Sequence, residues 1–297
     1  MQTSTTLSVV PVADAGAASP LLAQIKRTLR SWPVMIAIVV LLLLVGMAVF
    51  APWLGTTDPS LLDSAQRLKP ISAAHWLGTD AFGRDVFSRV LYGGRVSLTI
   101  GLGAVIISLT SGLFIGVTAG YFRLADAIIM RVMDGMMAIP GILLAIALVS
   151  LSGASLFTVL IAISVPDIPR VVRMVRSVIL SVRNESYVEA AVVLGTPVPV
   201  LMWRHMLPST LAPLIVQGTY IFASAILAEA ALSFLGAGIP PEIPSWGNVM
   251  AESRTYFMML PGLILYPGIL VSLTVLSVNV LGDALRDALD PRMARRI

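Results

Sequence analysis

The sequence predicts an all-α polytopic membrane protein with six transmembrane helices. Three observations carry that expectation. Charged residues make up 12% of the 297 residues, against about 25% in an ordinary soluble domain, and mean hydropathy is +0.90. Uncharged apolar runs recur along the chain, each near the roughly 20 residues that cross ~30 Å of hydrocarbon as a helix. Lys and Arg cluster at the ends of those runs rather than on one polar domain, so the net charge of +4 marks span ends and not a nucleic-acid surface. Cysteine is absent, which removes disulfides, thiolate nucleophiles and Cys-ligated metals. No early apolar run suggests a cleavable signal peptide, so the first span is expected to direct insertion.

Residues 1–32 read as a Ser/Thr/Ala/Val tail ending in the basic residues Lys26, Arg27 and Arg30. Residues 33–53 are uncharged and bracketed by Trp32 and Trp53, as interfacial aromatics bracket a span. Residues 54–95 form a polar loop. His75, Asp80 and Asp85 within it could suggest a metal, but one histidine and two loop aspartates beside Arg84 and Arg89 make a poor ligand set. Salt-linked loop structure is the expectation there.

The second span covers 96–122. In it Ala104, Ser108, Gly112, Gly116 and Gly120 recur every fourth residue, placing small side chains in one stripe that lets another helix approach closely. Close packing and a mobile interface in a transport path are both compatible with that stripe. A third span is expected over 128–150, then a tight turn at Ser152-Gly153-Ala154-Ser155. A fourth starts near 156 and loses helical regularity at Pro166 and Pro169. The fifth covers 211–235. Segment 236–259 is polar and proline-rich, with a short helix expected around 246–256. The sixth span covers 260–282, and 284–297 is a charged tail.

Few ionisable or amide groups lie within the spans: Asp134, Glu229, Asn279 and Asp283. Asp134 and Asp283 sit near helix ends. Glu229 is deeper, where a charge costs about 2.5–3.5 kcal/mol on insertion scales. It should therefore face protein or a water-filled path, as a translocation-path or helix-packing group, as should Gly112 and Gly116.

Residues 185–208, ESYVEAAVVLGTPVPVLMWRHMLP, interrupt this apolar chain with charge. Ser186 to Leu194 holds no proline or glycine and predicts a short helix, with Gly195 as its stop and Pro197 and Pro199 preventing continuation. The order Glu189-Ala190-Ala191, Gly195, Leu207-Pro208 resembles the EAA loop of permease subunits of ABC importers. Two further segments resemble the dipeptide/oligopeptide/nickel (DppC/OppC-like) group: Leu77-Gly78-Thr79-Asp80 with Gly83-Arg84-Asp85 before the second span, and Gly282-Asp283 through Asp290-Pro291-Arg292 at the end. His205 stands at a usually apolar position, a departure shared within the peptide group. Val165-Pro166-Asp167-Ile168-Pro169-Arg170 keeps the family's arginine but not its aromatics, so no role is carried onto Asp167.

The resemblance implies the type I ABC importer (MetI-like) permease fold: one N-terminal span and a five-helix core over 96–283, with the coupling loop at 181–208. It implies that Glu189, Ala190, Ala191, Gly195, Leu207 and Pro208 form an ATPase-coupling site. The partners implied are a second (DppB/OppB-like) permease, two cytoplasmic ABC ATPase subunits and an extracytoplasmic solute-binding protein, all at a bacterial inner membrane. No catalytic residue, metal or cofactor is implied. Peptides are the first substrate expectation, with nickel or another small solute as the alternative.

Six spans put both termini on one side. Assigned to the cytoplasm together with the EAA loop, that side holds 14 of the 20 Lys and Arg residues, as the positive-inside rule requires. No GxxxxGK[ST] phosphate loop occurs, so ATP must be handled by another chain, and neither HExxH nor GxSxG supports a membrane hydrolase. An ion-coupled secondary transporter would need buried relays and often a repeated half, of which only Glu229 is present.

Overall fold

A computed structural model describes residues 30–289. Lys26, Arg27 and the tail from residue 290 lie outside the described residues, as do the expectations placed on them. Among the described residues the structure is built from helices: α1 (Trp32–Val49), α2 (Val86–Tyr121), α3 (Arg123–Met137), α4 (Gly141–Ser152), α5 (Leu156–Ser164), α6 (Ile168–Val182), α7 (Ser186–Val193), α8 (Pro208–Phe234), α9 (Trp246–Ser253) and α10 (Gly262–Leu289).

Four of these, α1, α2, α8 and α10, are each long and apolar enough to cross a membrane; α3 and α4 make a fifth if that pair, bent by 90°, is one span. The count of six is thus not reached by single helices, because the expected third and fourth spans are both broken. The third breaks across Ala138–Pro140: Pro140 has no N–H for the ladder and disfavours helical geometry in the residue before it. The fourth is α5, one 3-10 turn at Val165–Asp167, then α6. Pro166 and Pro169 each occupy the opening of their element, where the missing N–H costs nothing, so helix resumes at once. At nine residues α5 rises about 14 Å, and α6 carries Arg170, Arg173 and Arg176.

The polar loop expected through residue 95 ends at Asp85. Its last ten residues belong to α2, which at 36 residues is roughly 54 Å long and outreaches the hydrocarbon. Asp85 caps α2 by accepting the Ser88 N–H at 2.8 Å. The arginines that read as loop meet groups from other elements. Arg95 donates to the carbonyls of Ala48 and Val49 at 2.5 and 2.8 Å, closing the C-terminus of α1. Arg89 is 1% exposed, with Nη2 3.1 Å from Glu252 Oε2. Arg84 pairs with Asp80 at 2.6 Å and with Glu252, and His75 Nδ1 lies 3.0 Å from Asp85 Oδ1. This salt-linked cluster ties the segment before α2 to α9, the short helix expected at 246–256.

The small-residue stripe of α2 packs along α6. Gly112 faces Val171, Gly116 faces Val175 and Gly120 faces Ile179, so three β-branched side chains spaced by four fill three gaps spaced by four. Ser108 Oγ donates to Ser164 O at 3.0 Å at the upper end of the same seam. α8 packs against α10, α2 and α9, and α1 lies on α10 and α2 through Val34, Ala37, Leu44 and Ala48. The other faces of α1 expose Ile36, Leu42 and Leu43, as a lipid-facing helix does.

Candidate functional site

The interruption between α6 and α8 folds as a compact knuckle. α7 begins after Glu185 and runs through Ser186–Val193. It ends in a Schellman motif: Gly195 N–H donates to Val192 O at 2.9 Å and Thr196 N–H to Ala191 O at 3.1 Å. Gly195 has φ +75°, and no atom lies within 4 Å of where its Cβ would stand, so the glycine is required by backbone conformation and not by crowding. The chain then turns at Val198–Val200, becomes π-helical over Leu201–Met206, and enters α8 at Pro208. The π geometry closes with Leu207 N–H donating to Met202 O at 2.9 Å. Such turns recur at functional sites.

The knuckle has two faces. Val188 (1% exposed), Ala191, Leu201 and Met206 point inward and join the core formed by Val171, Val175 and Ile179 of α6. Outward stand Glu189 and Ala190, with Val193 and Leu194 exposed at 86% and 84%. Two large apolar side chains held almost fully in the open beside a carboxylate form a surface that fits a protein partner. Tyr187 Oη donates to His205 O at 3.3 Å, bracing α7 on the π turn, while His205 Nδ1 is buried without a hydrogen bond. Arg183 stacks over Tyr121 and donates to its carbonyl at 3.3 Å, fastening the approach to the end of α2.

The structure therefore brings Glu189, Ala190, Ala191 and Gly195 together on one short element. Ala191 faces inward, and the others are exposed. Leu207 and Pro208 lie beyond the π turn at the start of α8, Leu207 half-buried and Pro208 exposed. Gly112 and Gly116 lie in the α2–α6 seam, remote in sequence but packed on the helix that leads into the knuckle.

Glu229 is fully buried. Its carboxylate accepts from Ser245 Oγ at 2.7 Å, Ser233 Oγ at 3.0 Å and Ser97 Oγ at 3.3 Å, joining α8, α2 and the start of α9. Its arrangement is that of a helix-packing anchor. Among the described residues no group of His, Cys, Asp and Glu is placed to hold a metal. Two features of the site had no sequence signal: the π turn, which reads as an ordinary approach to α8, and the outward aim of Val193 and Leu194, which read as ordinary helix.

Comparison with known proteins shows the family. The family described as binding-protein-dependent transport system inner membrane component matches residues 112–295, which include the whole knuckle. The chain belongs to that family. Residues 19–70 match a second family, the N-terminal transmembrane domain of oligopeptide transport permease C. A protein of Sinorhizobium fredii named as a probable peptide ABC transporter permease is 52% identical over 84% of this chain and 86% of its own length. The dipeptide transport system permease protein of Alkalihalophilus pseudofirmus is 41% identical over 93% of this chain and 91% of its own. The glutathione transport system permease protein of Pectobacterium atrosepticum is 38% identical over 90% of each. As a binding-protein-dependent transport component, the chain is a multi-pass inner membrane protein with the MetI-like permease fold.

Proposed function

We propose that this chain is one of two permease subunits of an ATP-driven peptide importer, and that α7 is its coupling helix. The observation that carries the reading is the outward face of the knuckle, with Val193 and Leu194 exposed beside Glu189, on an element whose inner face is built into the helix core. Two cytoplasmic ATPase subunits, one docked here and one on a second, non-identical permease, would drive the pair. An extracytoplasmic binding protein would deliver the substrate. The membrane topology is six spans with both termini and α7 in the cytoplasm, the fourth span beginning with α5 and giving way to the arginine-bearing α6. Peptides are the substrate class because relatives across almost the full length are named as peptide, dipeptide and glutathione permeases.

The mechanism is a shift between two packings. A displacement of α7 is carried by Val188 and Ala191 into Leu201, Met206 and the α6 face that packs on α2. Nucleotide binding in the motor favours one packing only through its different contacts with the two states. Glu189→Lys tests this. Glu189 is exposed, so the protein should still insert and assemble its bundle, while import is abolished. Cross-links placed at Ala190 or Val192 should capture an ATPase subunit from the complex. Normal import by Glu189→Lys, or labelling of Ala190 from outside the cell, would show that α7 does not couple to a motor.

A further inference from the structure

A cavity of about 410 Å³ opens where the chain breaks between α3 and α4, walled by Met137, Ile142 and Ala228 and carrying Asp167, Arg170 and Ser224. Its size suits a small-molecule ligand. Asp167 lies about 18 Å along the helical column from Ser155 and is buried in the bundle at 8% exposure. A carboxylate at that depth is costly and marks a pathway unless it is used in packing. Its packing contacts are few: the Ser224 hydroxyl on α8 and the Arg170 guanidinium. Asp167 holds the position before α6 where an aspartate ordinarily caps, yet it accepts no N–H from α6. Its one ion pair is a single contact, Arg170 Nη1 to Oδ1 at 3.2 Å, and the partner's side chain is 63% exposed, free to turn to another anion. Glu229 is the contrast: fully buried and met by three serine hydroxyls.

We propose that this cavity is a transient peptide subsite in the translocation path, with Asp167 receiving the free amino terminus and Arg170 the carboxylate or a carbonyl. The assignment rests on the importer reading above. The paired charges select the ligand class. A metal cation would meet Arg170, and an anion would meet Asp167, whereas a zwitterion satisfies both with charge-assisted hydrogen bonds. The walls are apolar, with Met136 and Met137 flexible enough to accept different side chains. The two prolines place the carboxylate: Pro166 and Pro169 confine residue 167 to the single 3-10 turn between α5 and α6.

The test uses the whole importer in proteoliposomes, with its ATPases, its binding protein, ATP and a radiolabelled dipeptide, and a photoreactive residue at Ile139 on the cavity wall. The wild-type complex should import the dipeptide and cross-link it at Ile139 during turnover. Asp167→Asn, in complexes verified by subunit co-purification, should reduce both signals about tenfold or more, the scale of one lost charge-assisted contact. Asp167→Glu should retain most of both. Met137→Trp, which fills the cavity from a residue already 41% exposed, should block capture even if Asp167→Asn fails to assemble. Import and capture at wild-type levels in Asp167→Asn or Met137→Trp would overturn the subsite and leave the importer reading intact. Absence of dipeptide import by the wild-type complex would overturn both.

Discussion

Val175 occupies the space in which a side chain at Gly116 would stand: a Cβ there would lie 2.7 Å from Val175 Cβ and 2.9 Å from Val172 O. This contact sits in the middle of the seam that joins α2 to α6, and α6 leads directly into the knuckle. Seam packing and coupling therefore share residues.

Gly116→Val should overpack this seam and lower stability by about 1–3 kcal/mol, read as a lower thermal midpoint of the detergent-purified chain. Combining Gly116→Ala with Val175→Gly should be less harmful than the sum of the two single changes, because removing the Val175 Cβ vacates the space the new Cβ needs. Additive losses in that double-mutant cycle would mean the two residues do not touch.

Glu229 should tolerate amide replacement better than truncation. Glu229→Ala strands the hydroxyls of Ser245, Ser233 and Ser97, at a cost of about 1–3 kcal/mol for each buried group left unpaired. Glu229→Gln keeps the shape and an acceptor oxygen. The expected readout is selective loosening of α9: a cysteine placed at Asn248, now buried, becomes reactive to a membrane-impermeant thiol reagent in Glu229→Ala but far less so in Glu229→Gln. Equal reactivity in both would assign Glu229 no anchoring role.

The ionic cluster over the N-terminal end of α2 makes a different forecast. Removing Glu252 leaves Arg89 buried with only Asp80, 3.7 Å away, as a counter-charge. Breaking such a pair typically costs about 3–5 kcal/mol, whereas replacing both members with apolar residues is often neutral. Glu252→Ala should thus be strongly destabilising in a denaturation assay, and Arg89→Met with Glu252→Leu should recover much of the loss. Glu242→Ala, at an exposed position, is the control that should change little.

Gly195 calls for a conformational test. A non-glycine residue in the left-handed region costs roughly 1–2 kcal/mol, with asparagine the best tolerated. Because nothing crowds the position, Gly195→Asn should preserve import while Gly195→Val impairs it through a distorted end of α7. If the asparagine and valine variants import equally well, the Schellman geometry is dispensable for coupling.

Local rules reached the elements whose signals are contained in a few residues. The end of α7 was legible because Gly195 and the prolines at 197 and 199 are strong stops, and the seam was legible because small residues spaced by four share one face. Local rules failed where a distant partner decides. Arg89 and Arg95 read as loop because charge usually ends a span; α2 runs through them because Glu252 gives Arg89 a counter-charge and the carbonyls of Ala48 and Val49 accept from Arg95. Pro140 signals a break in the third span but not its size, which is a 90° bend. Asp167 carried no readable role, because the cavity that gives it one is assembled from α4, α8 and the α3–α4 break.

Composition and spacing alone determined that this chain lives in a membrane, that its charged interruption at 185–208 is a short capped helix, and that α2 offers a groove of small residues. These follow from water–lipid partitioning and backbone sterics, which act over a turn or two of chain. Tertiary structure alone decided which side chains fill that groove, where the broken helices lead, and which of the two deep carboxylates is enclosed. Those outcomes depend on packing between residues far apart in sequence: Glu229 is shut in by serines from three segments, and Asp167, 8% exposed, lines a cavity beside Arg170 and Ser224.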